Sequence, residues 1–339
     1  MKLLDAYPCE VSAIVVSFNT RELLRECLQS LVDECSNLPG KMPAEILVVD
    51  NASRDGSPEM VERDFAQSTV PVRLVRSAVN LGFGGANNLA LDQALGRYIV
   101  LLNSDAFLHP GALALAVQHM QQSPSTGFGG GLLVGRDGAL QPSARCFHSI
   151  WRDALILTGL AAMFPRSRIF GSPDRTWADP KLAADVDWVP GAFMIMRREA
   201  LSSIGLFDPR FFLYYEETDL CRRVKAAGFA VSYWPDVVVT HLGGESGRQL
   251  DAASSKTVSK VELWRMRSTL LYYRKHHGWQ AFAALWLERM LYLVRFWRNR
   301  NSSNQARRTR AEQAAQLAAL MQQAWTDTQG GRISPAQPW

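Results

Sequence analysis

Along the first third of the chain, continuous apolar runs alternate with blocks in which apolar residues recur about every three and a half positions. Residues 11–18 (VSAIVVSF) form a continuous, β-branched apolar run, as a strand buried on both faces requires. Across 21–34 the apolar residues Leu24, Cys27, Leu28, Leu31 and Val32 recur at helical spacing. The run 45–49 (EILVV) reads as strand again, and Ser57-Pro58 carries the N-cap and first-turn chemistry of a helix start. A short strand at 72–75, a helix near 86–95 and a strand at 98–102 (YIVLL) continue the alternation. This order predicts an α/β fold: a Rossmann-like, mostly parallel central sheet flanked by helices.

Beyond residue 110 the pattern loosens. A strand is expected at 127–134, then a long loop at 135–184 rich in Pro, Gly and Ser, broken by one apolar island at 154–164 (ALILTGLAAMF). Loops of this length are commonly lids or binding segments. Order returns with a strand around 186–196, a helix at 217–227 closed by Gly228, and strands at 229–233 and 237–240. The expected organisation is one large domain over 1–250, in halves of about 10–110 and 111–250. A C-terminal helical extension over 251–300 and a polar, partly disordered tail over 301–339 follow it.

Composition narrows the class. The chain of 339 residues is 47% apolar and 20% charged, a globular balance, with a net charge of +5. Arg295, Arg298, Arg300, Arg307, Arg308 and Arg310 crowd the C-terminal part, which points to an anionic surface as partner. Five cysteines without C-x-x-C spacing speak for reduced thiols rather than a zinc or disulfide framework. Neither a signal peptide nor an apolar run of about 18 residues is visible, so the expectation is a cytoplasmic protein. Residues 279–297 (WQAFAALWLERMLYLVRFW) put Glu288, Tyr292 and Arg295 on one helical stripe with the other faces largely apolar. Such a helix suits peripheral attachment to the inner face of an anionic membrane, or packing against the catalytic domain or a second copy in a homodimer.

The candidate chemistry gathers at the carboxyl ends of the expected strands, where ligands bind in sheets of this kind. Asn19, Asp50 and Asp105 all stand there. Asp50 opens Asn-Ala-Ser-Arg-Asp-Gly-Ser, where its carboxylate can accept a hydrogen bond from the N3–H of uracil or thymine, or close an Asx-turn or cap a helix. Residues 80–88 (NLGFGGANN) form a glycine-rich turn opening a helix, a setting that suits phosphate or a simple turn. In Asn103-Ser104-Asp105 the first and last side chains share one face of a strand end. Asp105 can ligate Mg2+ or Mn2+, whereas Asn103 is the better hydrogen-bonder. Tyr214-Tyr215-Glu216-Glu217-Thr218-Asp219 places three carboxylates in or beside a first helical turn, where they serve the helix dipole or supply a general base. His241 ends an apolar strand ahead of Leu-Gly-Gly-Glu-Ser, as a structural histidine or as a ligand.

Taken in order, SAIVVSFN (12–19), ILVVDNASRDGS (46–57), NLGFGGANN (80–88), YIVLLNSD (98–105), VDWVPGAFMIMRREALSSIGLFDPRFFLYYEETDLCRR (186–223) and HLGGES (241–246) resemble the family 2 glycosyltransferases of GT-A fold. Within them the likeness is to rhamnosyltransferases of bacterial surface-polysaccharide (lipopolysaccharide O-antigen) assembly. The resemblance covers about residues 10–247 and implies an inverting, metal-dependent transfer. The sugar, with L-rhamnose from dTDP-rhamnose as first expectation, moves from a nucleoside diphosphate donor to a hydroxyl of a glycan or lipid-linked glycan. By the same resemblance Asp50 reads the pyrimidine, with Phe18 and Asn19 near the nucleoside, and Asn80, Gly82, Asn88, Asn103 and Ser104 line the donor pocket. Asp105 matches the metal-binding acid of a D-x-D-type motif and His241 the late metal or diphosphate ligand. Glu217 falls where relatives carry the Asp of a Glu-Asp pair, the base, followed in rank by Asp219 and then Glu216. Asn103 replaces the first acid of the strict motif, and Glu217 is one methylene longer than the usual base.

Rival readings each lack a feature. A nucleotidyltransferase needs a glycine-rich loop with basic residues after the first strand, where this chain has SFNTRELL. A non-catalytic glycan- or nucleotide-binding descendant would have lost the acid cluster or His241. A nucleic-acid partner is not expected, because the arginines lie in a tail without a recognised module.

Overall fold

In the computed structural model, residues 7–243 and 260–336 are described. The backbone divides into two compact units. The first comprises 1–147, 178–208 and 217–246; the second 148–177, 209–216 and 247–339.

The first unit is built on one mixed sheet. Its strands are β1 (Cys9–Ser17), β2 (Ala44–Asp50), β3 (Val72–Arg76), β4 (Gly96–Asn103), β5 (Ala106–Leu108), β6 (Thr126–Val134), β7 (Leu140–Gln141), β8 (Ala184–Asp185), β9 (Phe193–Arg197) and β10 (Ala230–His241). The main path runs β3-β2-β1-β4-β9-β6-β10-β5, with β7 beside β6 and β8 beside β10. β3, β2, β1 and β4 are mutually parallel, as the alternation of strands and helices predicts. β9 runs antiparallel to β4 and β6. Alternate residues of the central strands enter two different cores. Val11, Ala13, Val15, Ile46, Val48, Val100 and Leu102 pack with α1 (Arg21–Ser36), α2 (Ser57–Asp64) and α4 (Ala112–Gln122). Ile14, Leu47, Val49, Ile99 and Leu101 pack with α3 (Gly82–Leu91), α7 (Arg198–Ile204) and α8 (Glu216–Ala226). This two-sided burial is why those strands read as unbroken apolar runs.

Several boundaries depart from the sequence reading. α3 begins at Gly82, so the glycine-rich turn is itself the first turn of the helix. The strand expected around 186–196 is shorter and begins later, at Phe193–Arg197. The two expected strands at 229–233 and 237–240 are one, β10, with a bulge between Trp234 and Val238 that accommodates Pro235. β6 needs its glycines: a Cβ on Gly129 would lie 1.9 Å from the Trp234 ring.

The second unit is helical. The expected loop at 135–184 carries α5 (Ile150–Thr158) and α6 (Leu160–Met163), formed by the apolar island. These, with 209–216, belong to the same unit as α9 (Lys260–His277), α10 (Gln280–Asn299) and α11 (Gln305–Asp327), so the second unit takes in segments well before residue 250 as well as those after it. Phe211 and Tyr215 bury in one cluster with Leu271, Tyr272, Tyr273, Ala281 and Ala284, which explains the assignment. The 301–339 segment, expected as a polar, partly disordered tail, is helical over Gln305–Asp327. α11 is formed there because Ala311, Ala314, Ala318, Met321 and Ala324 give it a narrow buried stripe of small residues. A polar composition hid that stripe. α10 turns its polar residues Glu288 and Tyr292 inward, at 4% and 5% exposure, beside buried Ala281, Ala284 and Leu285. There Glu288 pairs with Arg265 and accepts the Tyr292 hydroxyl at 2.9 Å. The aromatic side chains Trp279, Phe282, Trp286 and Trp297 face out, all more than half exposed.

Candidate functional site

Four strand ends of the first unit carry the polar side chains expected of a site. After Ser17 closes β1, the chain turns through Phe18 and Asn19, the latter in the left-handed region (φ 53°) that asparagine tolerates. The Asn19 amide donates to Ser53 Oγ at 3.0 Å, and Asn19 Oδ1 accepts from the Arg54 amide at 2.7 Å. Asp55 accepts from the amides of Arg21 (2.8 Å) and Ser57 (3.0 Å), so it caps the starts of α1 and α2 together. The Asn-Ala-Ser-Arg-Asp-Gly-Ser stretch is thus a lacing between two strand ends. Helix capping in this stretch falls to Asp55.

Asp50 is 5% exposed. Its Oδ2 accepts from the Ser53 amide at 3.2 Å, while Oδ1 is buried without a hydrogen-bond partner. Burial pushes the Asp50 carboxyl above the ordinary aspartate value, against the opposing pull of the Ser53 hydrogen bonds and the Arg76 guanidinium. An unmet buried acceptor costs about 1–3 kcal/mol.

Its neighbour Asn51 was not singled out in the sequence, yet it organises the glycine turn. Asn51 Oδ1 accepts from the Leu81 amide (2.7 Å), and its Nδ2 donates to Asn80 Oδ1 (2.9 Å) and the Gly82 carbonyl (3.2 Å). Asn80 Oδ1 also accepts from the Gly82 amide at 2.9 Å. Gly82 itself has φ 73°, which only glycine adopts without strain. Asn88 spends its amide elsewhere: it donates to the Phe207 carbonyl (2.9 Å) and accepts from the Phe207 amide (3.0 Å). The signal for Asn51 was its place directly after Asp50 at a strand end.

At the end of β4, Ser104 accepts from the Thr20 hydroxyl at 2.9 Å, and Thr20 lies 3.1 Å from the Ser17 hydroxyl, a buried chain joining β1 to β4. Asp105 follows, 4% exposed. β5 starts at once and pairs antiparallel with the end of β10, Ala106 opposite His241. That register brings His241 Nε2 to 3.6 Å from Asp105 Oδ1 and 3.5 Å from Asn103 Nδ2. Burial lowers the His241 pKa, against the Asp105 carboxylate that raises it, so the imidazole is held toward its neutral form. His241 also exchanges two hydrogen bonds with Gln141, a residue the sequence reading passed over: 2.9 Å between Nδ1 and Oε1, and 2.7 Å from Gln141 Nε2 to the His241 carbonyl.

The acids of α8 form a separate group. Asp219 is fully buried and pairs with Arg223 at 2.8 Å; that arginine also donates to the carbonyls of Ile204, Gly205 and Leu206. Glu216 is 3% exposed. Glu217 alone of the three is half-buried. Tyr214 and Tyr215 precede them, both in the left-handed region (φ 68° and 69°), a strain of about 1–3 kcal/mol each. In the second unit the Tyr215 ring is held against His148 (4.6 Å) and Tyr272 (5.3 Å). Gly244, Glu245 and Ser246 of the HLGGES stretch lie outside the described residues.

Comparison with known proteins supports the same picture. Residues 12–205 match glycosyl transferase family 2. An N-acetylglucosaminyl-diphospho-decaprenol L-rhamnosyltransferase of Mycobacterium tuberculosis is 28% identical over 287 residues, 80% of this chain and 87% of that protein. Rhamnosyltransferase WbbL of Escherichia coli is 24% identical over 272 residues, 77% and 92% of the two chains. Among solved structures, a mannosyltransferase from Pyrobaculum calidifontis in complex with GDP-Man and Mn2+ aligns with a TM-score of 0.56 at 19% identity, covering 96% of this chain and 88% of that one. GalNAc-T7 with UDP, GalNAc and Mn2+ gives 0.57 at 14% identity, covering 96% and 58%. These two likenesses establish the fold, of GT-A type. With residues 12–205 matched, the chain is a glycosyltransferase that belongs to glycosyl transferase family 2.

Proposed function

We propose that the chain transfers L-rhamnose from dTDP-rhamnose to a hydroxyl of a lipid-linked glycan, with inversion at the anomeric carbon. The observation that carries the donor half is the strand-end pair Asp105–His241, 3.6 Å apart. One carboxylate oxygen and one neutral imidazole nitrogen fit a divalent cation, and imidazole is a better ligand for Mn2+ than for Mg2+. Among the described residues no group of three or more His, Cys, Asp or Glu side chains gathers as a metal site. That fits a cation whose remaining ligands come from the donor diphosphate and water. Asp105 and His241 would hold the cation, which supplies neutralisation of the charge that develops on the leaving diphosphate.

The chain's own residues do the rest. Asp50 accepts from the pyrimidine N3–H through Oδ1, satisfying an oxygen that otherwise has no donor. That oxygen is covered in the structure, so base entry requires the neighbouring backbone to yield. Asn51, Asn80 and Gly82 hold the turn that opens α3, whose N-terminus suits phosphate. Glu217 takes the proton of the acceptor hydroxyl as that oxygen attacks the anomeric carbon from the face opposite the leaving group. Asp219 positions α8 through Arg223 and is not the base, and Asn88 positions the segment at Phe207. The rhamnose assignment is supported by the two rhamnosyltransferase relatives. A second reading keeps the site and changes the sugar to another dTDP- or UDP-linked hexose.

Among the described residues no helix is long and apolar enough to cross a membrane. The exposed aromatic side of α10, with exposed Arg295, Arg298 and Arg300 on the same helix or just beyond it, suits the interface of an anionic leaflet. Arg307, Arg308 and Arg310 on α11 add to that charge. A lipid-linked acceptor would be met there. A homodimer through the same face is the competing use of α10.

Binding of a panel of nucleotide sugars, with and without Mn2+ or Mg2+, tests the donor half. dTDP-rhamnose bound more tightly with Mn2+ is the expected result. Failure of every thymidine and uridine diphosphate sugar to bind would refute the proposal.

A further inference from the structure

Gln141 reaches the site by a route the sequence hides. The turn Gly135–Ala139, closed by the Gly135 amide on the Ala139 carbonyl at 2.8 Å, folds β7 back on β6 so that Gln141 stands opposite Leu133. β6 in turn runs parallel to β10, with Val134 beside Thr240. The hairpin therefore delivers the Gln141 side chain to the last residue of β10, His241.

The two hydrogen bonds between these residues leave no freedom in their assignment. The His241 carbonyl can only accept, so the Gln141 group 2.7 Å from it is the amide nitrogen. The other end of the same amide, 2.9 Å from His241 Nδ1, is then the carbonyl oxygen, which can only accept. Nδ1 must carry the proton. In the neutral ring Nε2 then presents its lone pair, and Nε2 is the nitrogen that faces Asp105 Oδ1 and Asn103 Nδ2. Asp105 acts the other way: a carboxylate 3.6 Å from Nε2 favours a proton on that nitrogen, which would close it to a cation.

We propose that Gln141 is a positioning residue that fixes the Nδ1–H tautomer of His241 and so keeps Nε2 open toward Asp105. The consequence for cation binding rests on the metal reading given above; the tautomer itself does not. Outer residues of this kind set ring orientation and tautomer, and their loss commonly weakens metal affinity by about 10–100-fold.

The test uses the full chain and two readouts. Nitrogen NMR of the histidine ring reads the tautomer, and electron paramagnetic resonance reads Mn2+ binding in the presence of dTDP. Gln141→Met keeps length and volume but cannot hold Nδ1–H in the same way. It is expected to move the His241 proton toward Nε2 and to weaken Mn2+ binding about 10–100-fold. Gln141→Glu retains an acceptor for Nδ1–H and is expected to keep the wild-type tautomer, with Mn2+ affinity within a few-fold. Met and wild-type proteins with the same tautomer would overturn the proposal, as would a wild type that carries its proton on Nε2. A tautomer that shifts in Gln141→Met while no variant, wild type included, binds Mn2+ would uphold the positioning role and sink the metal reading instead.

Discussion

The strand ends of the first unit and the helix α10 of the second break the usual rule of burial in opposite directions. At the strand ends a carboxylate, Asp50, is buried with one oxygen unmet, and a histidine whose pKa burial lowers stands 3.6 Å from an aspartate. On α10 the buried stripe takes in polar residues, Glu288 and Tyr292 with their partner Arg265, beside Ala281, Ala284 and Leu285. Three tryptophans of the same region remain more than half exposed. Neither arrangement favours the folded chain in isolation, since buried polar groups need partners and exposed aromatics forgo burial. Both become favourable if something else supplies what is missing. A small polar ligand suits the first, and an apolar, anionic surface suits the second.

The sharpest way to break this comparison is at the base. Glu217→Gln is expected to lower turnover by about 10²-fold or more with donor affinity nearly unchanged. Asp219→Asn should instead lower stability, because it leaves the Arg223 guanidinium beside a neutral group at a buried pair; the cost of breaking such a pair is about 3–5 kcal/mol. Steady-state kinetics and thermal melting of both variants separate the roles. Wild-type turnover in Glu217→Gln would remove that residue from the mechanism.

The next effect is smaller and concerns Asp50. Asp50→Asn turns an acceptor toward a mixed donor and acceptor, and pyrimidine nucleotide affinity should fall roughly 10–100-fold, the loss of one charge-assisted hydrogen bond. Stability should respond with the opposite sign. Burial raises the folded-state pKa of Asp50, so its contribution is most favourable below the ordinary aspartate value and is lost as pH rises through the raised value. Asp50→Asn lacks that loss. Its melting temperature relative to wild type should therefore increase between acid and neutral pH, even as nucleotide binding weakens. A variant that binds dTDP as well as wild type would return Asp50 to a turn-forming role.

On the other side of the comparison, replacing Trp279, Trp286 and Trp297 together by Ala should reduce partition onto anionic vesicles by about 10²-fold while leaving the monomer fold intact, as expected for exposed side chains. Sedimentation with vesicles of anionic and of neutral lipid provides the measurement. Unchanged partition, with a shift from dimer to monomer in solution, would assign the face to a second copy instead.

What could be read from the sequence follows the range of the physics involved. Strands buried on both faces announce themselves as apolar runs, and β1, β2 and β4 were legible for that reason. Asp50 and Asp105 were legible because each closes such a run. α11 was not, because an alanine stripe in a polar, arginine-rich segment carries little hydrophobic contrast. The inward turn of Glu288 and Tyr292 on α10 was not legible either, because the same periodicity marks either face and the partner Arg265 arrives from α9. Gln141 and His241 are 100 residues apart, joined through a hairpin and a parallel pairing that no local pattern reveals. Asn51 was close enough to find, yet its partners Asn80, Leu81 and Gly82 arrive from another strand end.

The smallest expected effect tests whether the strand ends are pre-formed or shaped by what binds. Thr20 donates to Ser104 and lies beside Ser17, so the ends of β1 and β4 are joined by hydroxyls buried in the protein itself. Thr20→Val keeps the shape and removes the donor. If the link is ordinary structure, stability should fall by about 1 kcal/mol, with Mn2+ and nucleotide affinities unchanged. The comparison with Asp50 is then informative, because both residues are buried at the same sheet edge and only one has an unmet oxygen. A loss of affinity in Thr20→Val beyond a few-fold would mean that the hydroxyl chain aligns Asn103 and Asp105 for the donor, and that the edge owes its binding geometry to Thr20 as well as to the acids.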